Sequence, residues 1–143
     1  MAGQAWTGAN PADITAWTLV GAGHVAGRAF TEALAETGVS PTQFGTLLQL
    51  DLHPDVANAE LARLVLVTPQ AMSELLTGLE RAGLVTRDTS MGPGRRTPVR
   101  LTPAGRHTLV RCAQAVDRVE RSLGLTDADR RRLNALLHRI TKD

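Results

Sequence analysis

Between Thr68 and Gly83 the sequence repeats two patterns at one spacing, and an amphipathic helix satisfies both. Met72, Leu75, Leu76 and Leu79 recur at i, i+3, i+4 and i+7, a stripe that can be buried. Gln70, Ser73, Glu74 and Thr77 carry the same spacing with polar ends, so they face outward. Thr68 is suited to cap this helix, and Pro69 to hold its first position, where no amide hydrogen is needed. Ala82-Gly83 closes it, with Gly83 suited to a left-handed cap. A shorter helix-sized piece, Asn58 to Leu64, lies just upstream, joined through Leu66-Val67.

Two strand-like pieces follow. They are Leu84-Val85-Thr86-Arg87 and Thr97-Pro98-Val99-Arg100-Leu101, joined by a loop from Asp88 to Arg96. Helix, turn, helix, ribbon is the order of a winged helix-turn-helix, a device that reads DNA. The spacing places that module at about residues 40–101.

The flanks are helical. Ser40-Pro41-Thr42-Gln43 is a capping box that starts a helix to about Leu52, with Phe44, Leu47, Leu48 and Leu52 as its apolar face. His53-Pro54-Asp55 breaks it. Residues 1–9 read as a loose tail. Asn10-Pro11-Ala12-Asp13 then starts a helix to about Glu36, with Ile14, Trp17, Val20, Gly21, His24, Val25 and Leu34 as a broad stripe. Downstream, Thr102-Pro103-Ala104-Gly105 opens a helix to about Leu123, with Leu109, Ala113, Val116, Val119 and Leu123 at helical spacing and Gly124 ending it. Thr126-Asp127-Ala128-Asp129 caps a last helix bearing Leu133, Leu136, Leu137 and Ile140. The expected class is mainly α, an α+β winged helix of about six helices with a two-stranded β wing. A single domain spans residues 10–143. Its helices at about 10–37 and 102–142 carry more apolar surface than the winged module covers, and a second subunit would cover it.

Composition agrees. With 3% aromatic residues and no Tyr, the core must come from Leu, Val and Ala, which favours helix. One cysteine, Cys112, forms no intramolecular disulfide and reads as a buried structural thiol in a reducing compartment. No Lys or Arg precedes Arg28, so no signal-peptide n-region is present. No apolar run reaches the roughly 18 residues of a membrane span. A cytoplasmic protein with no membrane partner is expected. Charge is sorted along the chain. From Arg81 to Arg111 seven arginines stand against Asp88, a surplus of +6. From Asp51 to Glu80 five acids stand against Arg63, a surplus of −4.

The residues themselves resemble the MarR family of bacterial transcription regulators. The matching text is Ala59-Glu60-Leu61-Ala62, then Val67-Thr68-Pro69-Gln70-Ala71-Met72-Ser73, then Leu79-Glu80-Arg81-Ala82-Gly83-Leu84-Val85, and Leu101-Thr102-Pro103-Ala104-Gly105 after an Arg-bearing loop. The resemblance implies a homodimer held by the terminal helices on a pseudo-palindromic operator. It implies a recognition helix in the major groove and a wing near the minor groove. Many members are released from DNA by a small aromatic or phenolic ligand. One departure stands out: family wings pair an aspartate with their arginines, and here Thr89-Ser90-Met91-Gly92-Pro93-Gly94-Arg95-Arg96 has no acid.

The candidate DNA contacts are Thr68, Pro69, Gln70, Ser73, Glu74 and Thr77 on the helix, with Arg87, Arg95 and Arg96 on the wing. Gln can bridge adenine N6 and N7, Ser can donate or accept, and Glu can accept from cytosine N4 while repelling phosphate. The blander reading is a solvated helix face and a charged turn, with Arg87 in a surface ion pair. Trp17, His24 and Phe30 are candidate ligand-lining residues, or core packing. The four histidines form no i, i+4 pair, so neither a metal nor another cofactor is expected. No phosphate loop, nucleophile–histidine pair or carboxylate pair points to an enzyme. The expected function is a ligand-responsive repressor. The alternative is a helical dimer that binds a ligand or protein and has lost DNA binding.

Overall fold

The computed structural model describes residue 8 and residues 10–87 and 98–142. Six α-helices and one two-stranded sheet follow in the expected order among them: α1 (Thr15–Leu34), α2 (Pro41–Leu52), α3 (Asn58–Val65), α4 (Pro69–Arg81), β1 (Val85–Arg87), β2 (Val99–Leu101), α5 (Pro103–Ser122) and α6 (Asp127–Thr141). The strands pair antiparallel, with Val85 opposite Leu101 and Arg87 opposite Val99.

The caps explain the boundaries. Ser40 Oγ accepts from the Gln43 amide while Gln43 Oε1 accepts from the Ser40 amide, a complete capping box. Thr68, Thr102 and Thr126 each accept an amide three residues on and so start α4, α5 and α6. Gly83 and Gly124, with φ of 76° and 68°, end α4 and α5 in the left-handed region. The first helix departs from expectation. Asn10 caps a 3-10 turn, Pro11–Asp13, and the extended Ile14 breaks it from α1. A second 3-10 turn, Ala35–Thr37, ends it, so Glu36 lies past the α-helix.

One core joins α1 through α5 and the ribbon, built on Leu34, Leu47, Leu61, Met72, Leu79, Val85 and Cys112. α1 lies mainly on α5, α2 on α3 and α5, α3 on α4, and α4 on β1. Cys112 is fully buried, as expected of a structural thiol. Three apolar faces differ from their expected register. In α2, Thr46 and Leu50 are buried with Leu47, while Leu52 is exposed. In α5, Thr108, Cys112 and Ala115 take the core side, and Ala113 and Leu123 face out. In α1, Leu19, Ala26, Phe30, Ala33 and Leu34 turn inward, whereas Trp17, Val20 and Val25 remain exposed. α6 buries no residue at all and is tied to α5 by Arg130 Nη1 donating to the Glu120 carbonyl at 3.4 Å. No helix among the described residues is long and apolar enough to cross a membrane.

The turn between α3 and α4 rests on a left-handed leucine. Leu66 has φ 62° and is 73% exposed, so its side chain gains little to offset the strain. Leu66→Gly is expected to stabilise the protein by about 0.5–1 kcal/mol, the relief of the left-handed penalty less the added chain entropy of glycine. Chemical denaturation would read this as a rise in midpoint at constant m-value; a lower midpoint would show that the side chain packs.

Candidate nucleic-acid interface

α4 divides as its two stripes require. Met72, Leu76 and Leu79 are buried, Leu75 is half-buried, and Gln70, Ser73 and Glu74 are exposed with Thr77 partly so. Thr68 and Pro69 sit at its exposed N-terminus, where the Ala71 and Met72 amides are already bonded to Thr68. Asn58 of α3 donates to the Pro69 carbonyl at 3.4 Å and to Ser73 Oγ at 3.5 Å, which fixes the angle between the two helices.

The hydroxyls of the outward stripe are already engaged. Ser73 Oγ donates to the Pro69 carbonyl at 3.1 Å, and Thr77 Oγ1 to the Ser73 carbonyl at 3.0 Å. Gln70 and Glu74 have no side-chain partner among the described residues and keep their full capacity for a ligand. The stripe also extends further than expected. Arg81 shares a shallow hollow with Ser73, Glu74 and Thr77, so it faces the same side and puts a cation at the far end of the helix. Continuing the spacing from Glu74 by seven residues would have found it.

The charges that looked sorted in sequence partly cancel in space. Arg100 Nη2 lies 2.9 Å from Asp55 Oδ1, and Arg87 Nε lies 3.8 Å from Glu80 Oε2. Glu60 pairs with Arg63 at 2.5 Å, and hydrogen bonds from that guanidinium hold its carboxyl below the usual carboxylate range. Asp51 and Glu74 keep no ion pair among the described residues. Arg87 is thus turned back onto α4 with Glu80 as an acid beside it, and Asp88 lies outside the described residues. Arg95 and Arg96, with the loop 88–97, lie outside the described residues.

The ligand candidates separate. His24 lines an open trough of about 750 Å³ with Gly23, Gly27, Arg28, Thr31 and Pro41, between α1 and the start of α2. A Cβ added at Gly23 or Gly27 would meet nothing within 4 Å, so both positions face open space. Phe30 packs on Phe44, ring centroids 6.1 Å apart, at the rim of the core. Trp17 is exposed on α1 and does not line the trough. A second cleft, about 490 Å³, lies at the root of the wing between Asn58, Ser73, Arg87 and Val99, and no sequence pattern announced it. Among the described residues no group of His, Cys, Asp and Glu is placed to hold a metal ion.

The sequence model of the MarR family matches residues 37–96. The HTH-type transcriptional repressor Rv2887 of Mycobacterium tuberculosis is 40% identical over 114 residues, 78% of this chain and 81% of that one. Its crystal structure with salicylic acid superposes with a TM-score of 0.70 at 33% identity, over 90% of this chain and 98% of that one. The transcriptional repressor CouR bound to a 23-mer DNA duplex superposes with a TM-score of 0.84 at 28% identity, over 92% and 94%.

Proposed function

The chain belongs to the MarR family, and we propose that it is a repressor that grips a pseudo-palindromic operator as a homodimer and lets go when a small aromatic acid binds. The observation that carries this reading is α4: a capped helix whose exposed face presents Gln70 and Glu74, without side-chain partners among the described residues, beside the root of an arginine wing. Such a helix fits a major groove about 12 Å wide, and two of them read successive grooves when about one DNA turn apart. Gln70, Ser73, Glu74 and Thr77 address base edges, Thr68 and Pro69 bring the helix N-terminus to a phosphate, and Arg81 adds a backbone contact. Arg95 and Arg96 enter the minor groove from the wing. The winged module occupies about 40–101, and the helices at about 10–37 and 102–142 make the dimer. The protein acts in the cytoplasm and without catalysis.

Release follows from where the trough lies. It spans α1, a dimer helix, and Pro41, the first residue of the DNA-reading module. An acid held there by Arg28 and His24 touches both bodies and favours one angle between them. It shifts the population away from the DNA-bound spacing only through its preference for the other. Arg28→Ala is expected to leave operator affinity unchanged and to raise the salicylate concentration needed for release by about tenfold, the loss of one charge-assisted pair. Unchanged release in an anisotropy titration would move the effector elsewhere.

The DNA reading is tested at the wing. Arg95→Ala with Arg96→Ala should flatten the plot of log affinity against log salt by about one unit for each phosphate no longer neutralised. An unaltered slope and affinity would remove the wing from the interface. Failure of the wild-type protein to hold any duplex at low ionic strength would overturn DNA binding itself.

A further inference from the structure

We infer that Arg87 is a positioning residue that locks the recognition helix to the wing, and that it acts on DNA through α4 and not by contact. The inference rests on the proposed DNA-binding role. It starts from strand alternation. Val85 is almost wholly buried, Thr86 is exposed, and Arg87, two residues beyond Val85, points back to the side of the core. Its side chain is accordingly only 27% exposed and lies along α4. Nη2 donates to the Ser73 carbonyl and to Thr77 Oγ1, each at 3.4 Å, and Nε faces Glu80 at 3.8 Å. Positions 73, 77 and 80 stand one above another on α4, so one planar guanidinium touches groups supplied from successive turns.

The consequence is rotational. Ser73 and Thr77 belong to the groove-facing stripe, and the group that holds them belongs to the ribbon. Arg87 therefore sets which way the stripe points when the wing lies on its groove. Arg100 ties the other strand to the α2–α3 connection instead, through an exposed pair with Asp55. Leaving this position to reach a phosphate would strip Glu80 of its counter-charge. Its Nε is buried without a hydrogen-bond partner among the described residues, since Glu80 at 3.8 Å lies beyond hydrogen-bond reach.

The test uses the full chain and two duplexes, one selected by the wild type from a random pool and one of scrambled sequence, over a salt series. Arg87→Gln should lower affinity for the selected duplex by about tenfold, the equivalent of one mismatched base pair, with little change for the scrambled one and an unchanged salt slope. Glu80→Gln is the sharper variant because it removes a negative charge near DNA. It should lower the ratio between the two duplexes, although electrostatics alone would tighten both. Circular dichroism melts of both variants would confirm that the fold survives. Equal losses on both duplexes, with a slope flatter by about one unit per subunit, would make Arg87 a phosphate contact and overturn the inference. A ratio unchanged in both variants would overturn it too. Absence of any duplex binding by the wild type would defeat the DNA reading first, and the lock with it.

Discussion

Alanine in place of Gly105 is expected to cost at least about 3 kcal/mol, the upper range for forcing an atom into a packed site. A Cβ there would stand 2.0 Å from the Leu84 carbonyl oxygen and 3.1 Å from its carbon, both backbone atoms that cannot swing aside. The same oxygen accepts from the Thr102 amide at 3.0 Å, while Thr102 Oγ1 donates to the Gly83 carbonyl at 2.6 Å and accepts from the Gly105 amide at 3.0 Å. These bonds tie the end of α4, the start of β1 and the first turn of α5 into one knot. A methyl group at its centre must push α5 off β1. For a chain of this size the loss corresponds to a fall of roughly 10 °C in the melting midpoint at fixed protein concentration. A melt within two or three degrees of wild type, roughly the effect of 1 kcal/mol, would show that the backbone yields easily there. The knot also gives a physical reason for the leucine-threonine-x-x-glycine text.

The second large effect is expected at α6. Leu136 and Ile140, 55% and 60% exposed, lie one turn apart on a helix with no fully buried residue, only Arg130 and Leu137 being partly covered. A helix of 15 residues is marginal alone in water, so α6 needs a partner to persist. The exposed Trp17, Val20 and Val25 of α1 offer more apolar surface of the same kind. Leu136→Glu with Ile140→Glu would bring like charges together across a two-fold interface. Light scattering should then report a monomer, and operator affinity should fall by at least about a hundredfold as the second half-site becomes a separate binding event. A dimer of undiminished mass would place the subunit contact elsewhere.

What the sequence disclosed followed the range of the forces involved. Caps, breakers and the two stripes of α4 act within four residues, and they set the order of elements and most boundaries. The faces of α2 and α5 slipped because apolar spacing alone does not weigh a buried threonine. Thr46 bonds its own helix at Thr42, and that satisfaction lets it enter the core with Leu50. Leu52 then turns outward, and on α5 Ala113 does so where Thr108, Cys112 and Ala115 take the core side. At the interface the outward stripe was legible, including by extension Arg81. The partners of Arg87 and Arg100 were not, since Glu80 and Asp55 reach them only once the ribbon has packed on the helices. A charge tally along the chain treats as opposed two segments that the fold brings together.

The lack of any cation on α4 before Arg81, with Glu74 exposed in its middle, bears on how the protein divides its time in the cell. Random chromosomal DNA offers phosphates in vast excess, and most regulators spend their copies sitting on it. On the proposed reading, the Glu74 carboxylate repels phosphate and accepts only from a cytosine amino group, so α4 should add little to non-specific binding. A larger free pool would then meet the proposed operator or effector, and fewer copies would be needed to occupy one operator.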